Sequence, residues 1–175
     1  MWAATRVIVS QGLAAPTALI AREAGVSNGS LFTYFDTKAE LFNQLYLELK
    51  AEMVAAVLAG LPAGAALREQ MYHSLSNWMG WAVTNPEKRA ALAQLGVSEE
   101  LTPTTRAAGH KAMTGVVALL ESARANGPMR DAPMGLVAGI MNSVAEATID
   151  YVLQDPANAE QHCKTGFDAL WRVLA

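Results

Sequence analysis

The sequence predicts an all-α protein with a small N-terminal three-helix head, residues 1–40, and a larger C-terminal helical body, residues 41–175. Apolar residues recur at helical spacing, as in Leu41, Leu45, Leu49, Met53 and Val57, and strand-like alternation is absent. Proline and glycine pairs fall between these stripes rather than inside them. A third observation places a helix-turn-helix at Leu19–Leu41, LIAREAGVSNGSLFTYFDTKAEL, where the apolar stripe changes direction at Gly25.

The first helix is read at Trp2–Ser10, with Ala3, Ala4, Val7 and Ile8 facing the motif and Gly12 ending it. Pro16 suits the first turn of the second helix, where its missing N–H needs no partner. Thr17 fits two roles equally, a simple cap or a ligand of a backbone phosphate. Gly25 is the expected stop, because glycine accepts the left-handed cap conformation. Ser27 offers a side-chain oxygen to the free N–H groups of the next helix.

The third helix is read at Asn28–Phe35. Leu31 and Phe35, one turn apart, face inward. Ser27, Asn28, Gly29, Ser30, Thr33 and Tyr34 are left outward, as on a helix presented to a DNA groove. Asn28 has the groups to pair adenine, and Ser30 and Thr33 suit base edges or a thymine methyl. Tyr34 can place its hydroxyl on a phosphate. Gly29 weakens a helix by about 1 kcal/mol relative to alanine, which close backbone approach to DNA would offset. Thr37 and Glu40 fit a capping box for the fourth helix. Lys38 sits at the end of that helix which favours anions, a conflict that a bound phosphate resolves.

The segment GVSNGSLFTYFDTKAELF resembles the DNA-reading segment of the TetR/AcrR family of transcriptional regulators. The matching positions are Ile20-Ala21, Gly25-Val26-Ser27, Gly29-Ser30, Leu31, Phe32, Tyr34-Phe35, Thr37-Lys38 and Leu41, over about residues 3–50. Phe32 departs from the family, which usually has a phosphate-contacting tyrosine there. Family members usually begin with further, often basic, residues. Here the chain opens inside the first helix, which leaves a misassigned start, a shortened chain and an absent arm as open readings. The resemblance implies a dimeric DNA-binding regulator, most often a repressor, with a small-molecule inducer held in the body.

The fourth helix continues to about Leu58 and stops at Leu61-Pro62-Ala63-Gly64. The fifth spans about Ala66–Thr84, and Asn85-Pro86 opens a sixth that ends near Gly96 and Ser98. Thr102-Pro103 opens a seventh, closed by Asn126-Gly127-Pro128. Asp131-Ala132-Pro133 opens the eighth, which runs to about Gln154, and Asp155-Pro156 opens the ninth. The eighth helix is apolar on more than one side, through Leu136, Ile140, Val144, Ala147 and Tyr151 and through Val137, Met141, Thr148 and Val152. Such a helix must be covered nearly all round. A partner copy's eighth and ninth helices supply the second cover in a homodimer, with Gly135, Ala138, Gly139, Ser143 and Ala145 allowing close approach. Met71, Trp78, Met113, Met141, Asn142 and Glu146 are the candidate lining of a pocket for a small apolar or amphipathic inducer.

Composition bounds the alternatives. At 175 residues and 52% apolar the chain folds. A net charge of −3 is not the footprint of a strongly basic nucleic-acid binder, so the motif carries the DNA reading. Within residues 1–50, Arg6, Arg22, Lys38 and Lys50 cancel Glu23, Asp36, Glu40 and Glu48. No uninterrupted apolar run reaches the ~18 residues of a membrane span, and the N-terminus lacks a secretory pattern. Cys163, alone, makes no internal disulfide, and a cytoplasmic location is expected. His73, His110 and His162 show no metal-ligand spacing, and no nucleophile–base constellation or phosphate loop is visible. No enzyme activity, cofactor or metal is expected. Two rivals stand beside the regulator: a protein–protein interaction module with a DNA-binding-defective head, and a helical-bundle enzyme.

Overall fold

The computed structural model describes residues 1–175, all helices and turns. The elements are α1 (Trp2–Gln11), α2 (Thr17–Glu23), α3 (Asn28–Leu31), α4 (Lys38–Leu58), α5 (Leu67–Thr84), α6 (Pro86–Gly96), α7 (Pro103–Ala112), α8 (Thr114–Arg124), α9 (Met134–Gln154) and α10 (Ala159–Leu174). A 3-10 turn, Pro156–Asn158, leads into α10.

Four boundaries differ from the sequence reading. Pro16 is the N-cap of α2 rather than its first helical residue; its missing N–H is harmless in either place. The third helix is a single turn, because bonding changes after it: the Thr33 and Tyr34 N–H groups reach back three residues, to Ser30 and Leu31. Thr33 Oγ1 also donates to the Ser30 carbonyl at 2.6 Å, the kind of local bond that competes with helix continuation. The seventh predicted helix is broken at Met113 into α7 and α8. That split makes the predicted eighth and ninth helices α9 and α10, and α10 is entered through the 3-10 turn.

The chain divides into two compact units, Met1–Met53 with Asn85–Ala112, and Val54–Thr84 with Met113–Ala175. The division falls within α4, between α5 and α6, and at the α7–α8 break. In the first unit α1 packs on both α2 and α6. Its core joins Ile8, Ile20, Ala21, Leu31, Phe42 and Leu45 to Ala91, Leu95 and Leu101. Ile8, Leu45 and Leu95 are fully buried, each contributing about 1.5–3 kcal/mol. Asn43 is buried in this unit and fully bonded. Its Nδ2 donates to the Ala39 and Glu100 carbonyls at 2.6 and 2.8 Å, and its Oδ1 accepts the Thr102 N–H at 2.9 Å. Arg106 donates to the Gly96 and Ser98 carbonyls, closing the α6–α7 corner. Gly109 lies so close to the Tyr46 ring that a Cβ there would collide with it.

In the second unit α9 packs on α10 and α5, and α5 also meets α8 and α10. Gly166 permits the α9–α10 crossing, since a Cβ would strike Thr148. Tyr72 meets Phe167 edge-on at 5.1 Å between centroids. Arg124 is buried at 9% exposure and holds the loop before α9 through the Met129 and Ala132 carbonyls, while pairing with Glu121 at 2.9 Å. The inner face of α9 carries Val137, Ala145, Thr148, Ile149 and Val152, all buried. Its other side leaves Leu136 54% and Tyr151 57% exposed. By length and composition alone α9 is apolar enough to cross a membrane, with a mean hydropathy of 1.3. Glu146 and Asp150 interrupt it.

Candidate nucleic-acid interface

The turn between α2 and α3 is built from the backbone outward. Gly25 takes φ 71°. Its N–H bonds to the Arg22 carbonyl at 3.1 Å, and the Val26 N–H to the Ala21 carbonyl at 3.0 Å. This pair of bonds is a Schellman cap, which the sequence anticipates by placing glycine there. Ser27 Oγ then accepts the Ser30 N–H at 2.9 Å, capping α3 as predicted. Ala21 and Leu31 are buried and Phe35 half-buried, so the short helix is pinned by one edge.

Ser27, Asn28, Gly29, Ser30, Phe32, Thr33 and Tyr34 are all exposed, on either side of buried Leu31. Their polar groups are not equally free. The Ser27 and Ser30 hydroxyls bond each other at 2.8 Å, and the Thr33 hydroxyl is donated to the Ser30 carbonyl. The side chains of Asn28 and of Tyr34, which is 78% exposed, have no partner within the chain. They are the groups most ready to bond elsewhere. Gly29 has only the Ser27 hydroxyl near the position of an added Cβ, at an ordinary 3.7 Å. Nothing inside the chain requires glycine at this point.

Thr17 and Lys38, both half-buried, stand at the first positions of α2 and α4. Thr37 Oγ1 accepts the Glu40 N–H at 3.0 Å, and Glu40 reaches back to the Asp36 N–H at 2.6 Å. The expected capping box is present, displaced by one residue on its return side. Lys38 Nζ lies 5.3 Å from the Phe42 ring centroid and makes no ion pair. Arg6, by contrast, is neutralised by Glu23 at 2.9 Å.

Residues 1–45 match the family described as bacterial regulatory proteins, tetR family. A tetR family transcription regulator from Shewanella sp. PV-4 is similar over the whole fold, at 28% identity and a TM-score of 0.86, covering 99% of this chain and 95% of that one. Residues 1–45 thus carry the tetR-family segment, and the whole chain has the fold of a TetR-family regulator. Its head is accordingly a helix-turn-helix of the DNA-binding transcription-regulator type. Other TetR-family structures share the fold. A transcription regulator from Marinobacter aquaeolei VT8 has a TM-score of 0.86 at 19% identity, covering 99% of this chain and 92% of that one. The transcriptional regulator FadR from Bacillus subtilis, solved in complex with stearoyl-CoA, has a TM-score of 0.71 at 14% identity, covering 99% and 96%.

The second unit carries an open, shallow depression of about 430 Å³, lined by Ala56, Ala59, Ser76, Asn77, Gly80, Trp81 and Thr84. None of the six residues predicted to line a pocket borders it. Met71 is buried in the core, Trp78, Met113, Met141 and Glu146 are half-buried, and Asn142 is exposed. The lining is mostly small side chains. Gly80 lies in the interior of α5. At the edge of the depression, Asn77 Nδ2 donates to the Ala59 carbonyl at 2.9 Å, which His73 Nε2 also meets at 2.8 Å.

Proposed function

We propose that this chain is a ligand-responsive repressor that binds a pseudo-palindromic operator as a homodimer. The observation that carries the DNA half is the exposed segment Ser27–Ser30 and Phe32–Tyr34, held by a Schellman cap and a serine cap. Asn28 reads a base edge, Tyr34 and Thr17 contact phosphates, and the unpaired Lys38 ammonium supplies the charged phosphate contact. Ser27, Ser30 and Thr33 join once their internal bonds exchange for bonds to DNA. Gly29 lets the backbone approach, and Phe32 contributes apolar contact with sugar or base.

The dimer reading rests on α9. Its outward side leaves Leu136 and Tyr151 exposed, and an added Cβ at Gly135 or Gly139 meets nothing within 4 Å. A second copy's α9 and α10 give that apolar side its cover, in an isologous four-helix contact. Two heads then address half-sites about one DNA turn, ~34–36 Å, apart. The inducer is a small apolar or amphipathic molecule, a class that includes acyl-CoA esters such as the one held by the Bacillus subtilis FadR. Its differential affinity for two head orientations lowers DNA affinity by about 1–3 kcal/mol. The protein works in the cytoplasm.

Sedimentation equilibrium with and without DNA from immediately upstream of the gene tests the reading. The expected species are two chains free and two chains per duplex. A single-chain mass at micromolar concentration removes the dimer, and failure to select the upstream duplex over an unrelated one removes the regulator.

A further inference from the structure

We infer that Asn28 is a self-modifying position: the Asn28–Gly29 pair closes to a succinimide and reopens as a carboxylate, which turns the exposed segment of the helix-turn-helix off. The covalent step stands on the structure of the turn, and its effect on operator binding rests on the DNA-binding reading above. The sequence holds two Asn-Gly pairs, Asn28–Gly29 and Asn126–Gly127. In such a pair the missing side chain leaves the following backbone nitrogen unhindered. Asn28 is exposed and its carboxamide has no partner within the chain. The N–H groups of a first helical turn have no partner in their own helix. The Ser27 hydroxyl oxygen is spent on the Ser30 N–H, so the Gly29 N–H beside Asn28 makes no bond within the chain. The Asn28 carbonyl accepts the Phe32 N–H at 3.3 Å, a long bond. A helix of four residues holds Asn28 weakly in the helical conformation.

Asn126 is exposed as well, but its glycine is held. The Gly127 N–H donates to the Arg124 carbonyl at 3.0 Å, and a Cβ at Gly127 would collide with the Leu174 carbonyl. Ring closure there breaks that bond and moves packed backbone. At Gly29 the nitrogen is free and the nearest group is the Ser27 hydroxyl, at ordinary contact distance. In the reaction the Gly29 nitrogen gives its proton to hydroxide or water and bonds to Asn28 Cγ. The Cγ–Nδ2 bond breaks, and Nδ2 takes up a proton and leaves as ammonia. Water then opens the ring. Attack at Cγ restores the backbone and leaves an aspartate; attack at the main-chain carbonyl leaves the chain running through Cγ, as isoaspartate. No oxidant or reductant takes part. An amide that both donates and accepts becomes an acceptor-only anion among DNA phosphates. The isoaspartate form also inserts an extra backbone carbon, which breaks the register of α3.

The test incubates the full folded chain at mildly alkaline pH and follows both Asn-Gly peptides by mass spectrometry, with a guanidinium-unfolded sample as reference. The expected result is conversion at Asn28 at least about tenfold faster than at Asn126 in the folded chain, and similar rates at the two sites once unfolded. Gly29→Ala should slow the reaction at Asn28. No product at Asn28, or equal rates at the two sites in the folded chain, overturns the proposal. Affinity for DNA from immediately upstream of the gene should fall in step with the converted fraction, while Asn28→Gln keeps its own starting affinity through the incubation. Asn28→Asp should bind at least about tenfold more weakly than the fresh chain with unchanged thermal stability. A converted chain that binds as tightly as the fresh one overturns the off-switch. A fresh chain that selects no DNA while Asn28 still reacts removes the DNA-binding reading and leaves the covalent step standing.

Discussion

The Asn43 carboxamide accepts the Thr102 N–H at 2.9 Å across 59 residues of sequence. The same side chain donates to the Glu100 carbonyl at 2.8 Å, so one buried amide ties α4 to the α6–α7 corner. The unit that carries the helix-turn-helix is therefore not complete at residue 53. Asn43→Leu leaves a buried N–H and a buried carbonyl without partners and should destabilise this unit by about 2–4 kcal/mol. Asn43→Asp keeps the acceptor and loses the donor, and should fall between leucine and wild type in urea unfolding.

Gly29→Ala separates folding from DNA recognition. The added methyl meets only ordinary contact with Ser27 Oγ, so stability should rise, by at most about 1 kcal/mol. Operator affinity should fall roughly tenfold or more if the backbone lies against DNA. Thermal melts and anisotropy on the same preparation measure both. A variant that gains stability and keeps full affinity places DNA elsewhere.

Lys38→Ala and Thr33→Ala should differ in kind. Loss of the unpaired ammonium weakens binding to every sequence and flattens the dependence of log K on log salt by about 0.9 per head. Loss of the Thr33 side chain changes preference at one base step and leaves the salt slope alone. Identical behaviour of the two variants would contradict the assignment of Thr33 to the groove.

Gly139→Arg tests the exposed side of α9. The site is open within one chain, so the subunit should fold, while a dimer packed on that side should separate. Sedimentation velocity reads the change in mass directly, and an unchanged dimer would move the interface away from Gly139.

Acid should act through Asp155 and Asp168. The hydrogen bond from His162, with that from Asn158, holds Asp155 below the ordinary aspartate value of 3.8. Lys164, and then the charge of Arg68, do the same for Asp168. A carboxylate depressed in the folded state contributes its full stability above the unfolded value and loses it as pH falls through the folded one. The melting temperature should hold from neutrality to about pH 4 and drop below it. Asp168→Asn should make that drop shallower, as followed by circular dichroism at each pH.

The positions of α4, α5, α6 and α9 were legible because their apolar stripes and flanking prolines are local signals. The turn at Gly25 and the Ser27 cap were legible for the same reason. The length of α3 was not, since Thr33 bonds backward to a carbonyl that propensity alone does not single out. The break at Met113 was hidden because neither glycine nor proline occupies it. Entry of Ala91, Leu95 and Leu101 into the core of the first unit depends on contacts far apart in sequence. Asn43 gave no sign, since it lies off the apolar stripe beside Gln44 and its partners Glu100 and Thr102 are far along the chain. The depression escaped because its shape comes from side chains that are missing or small.

The most direct measurement is fluorescence anisotropy of the chain on labelled DNA from immediately upstream of its gene, titrated with salt beside an unrelated duplex. The account predicts binding at least about 10³-fold tighter to the upstream duplex, with log K falling linearly as log salt rises. Equal affinity for both duplexes, or no binding to either, would contradict it and favour a head that engages protein instead of DNA.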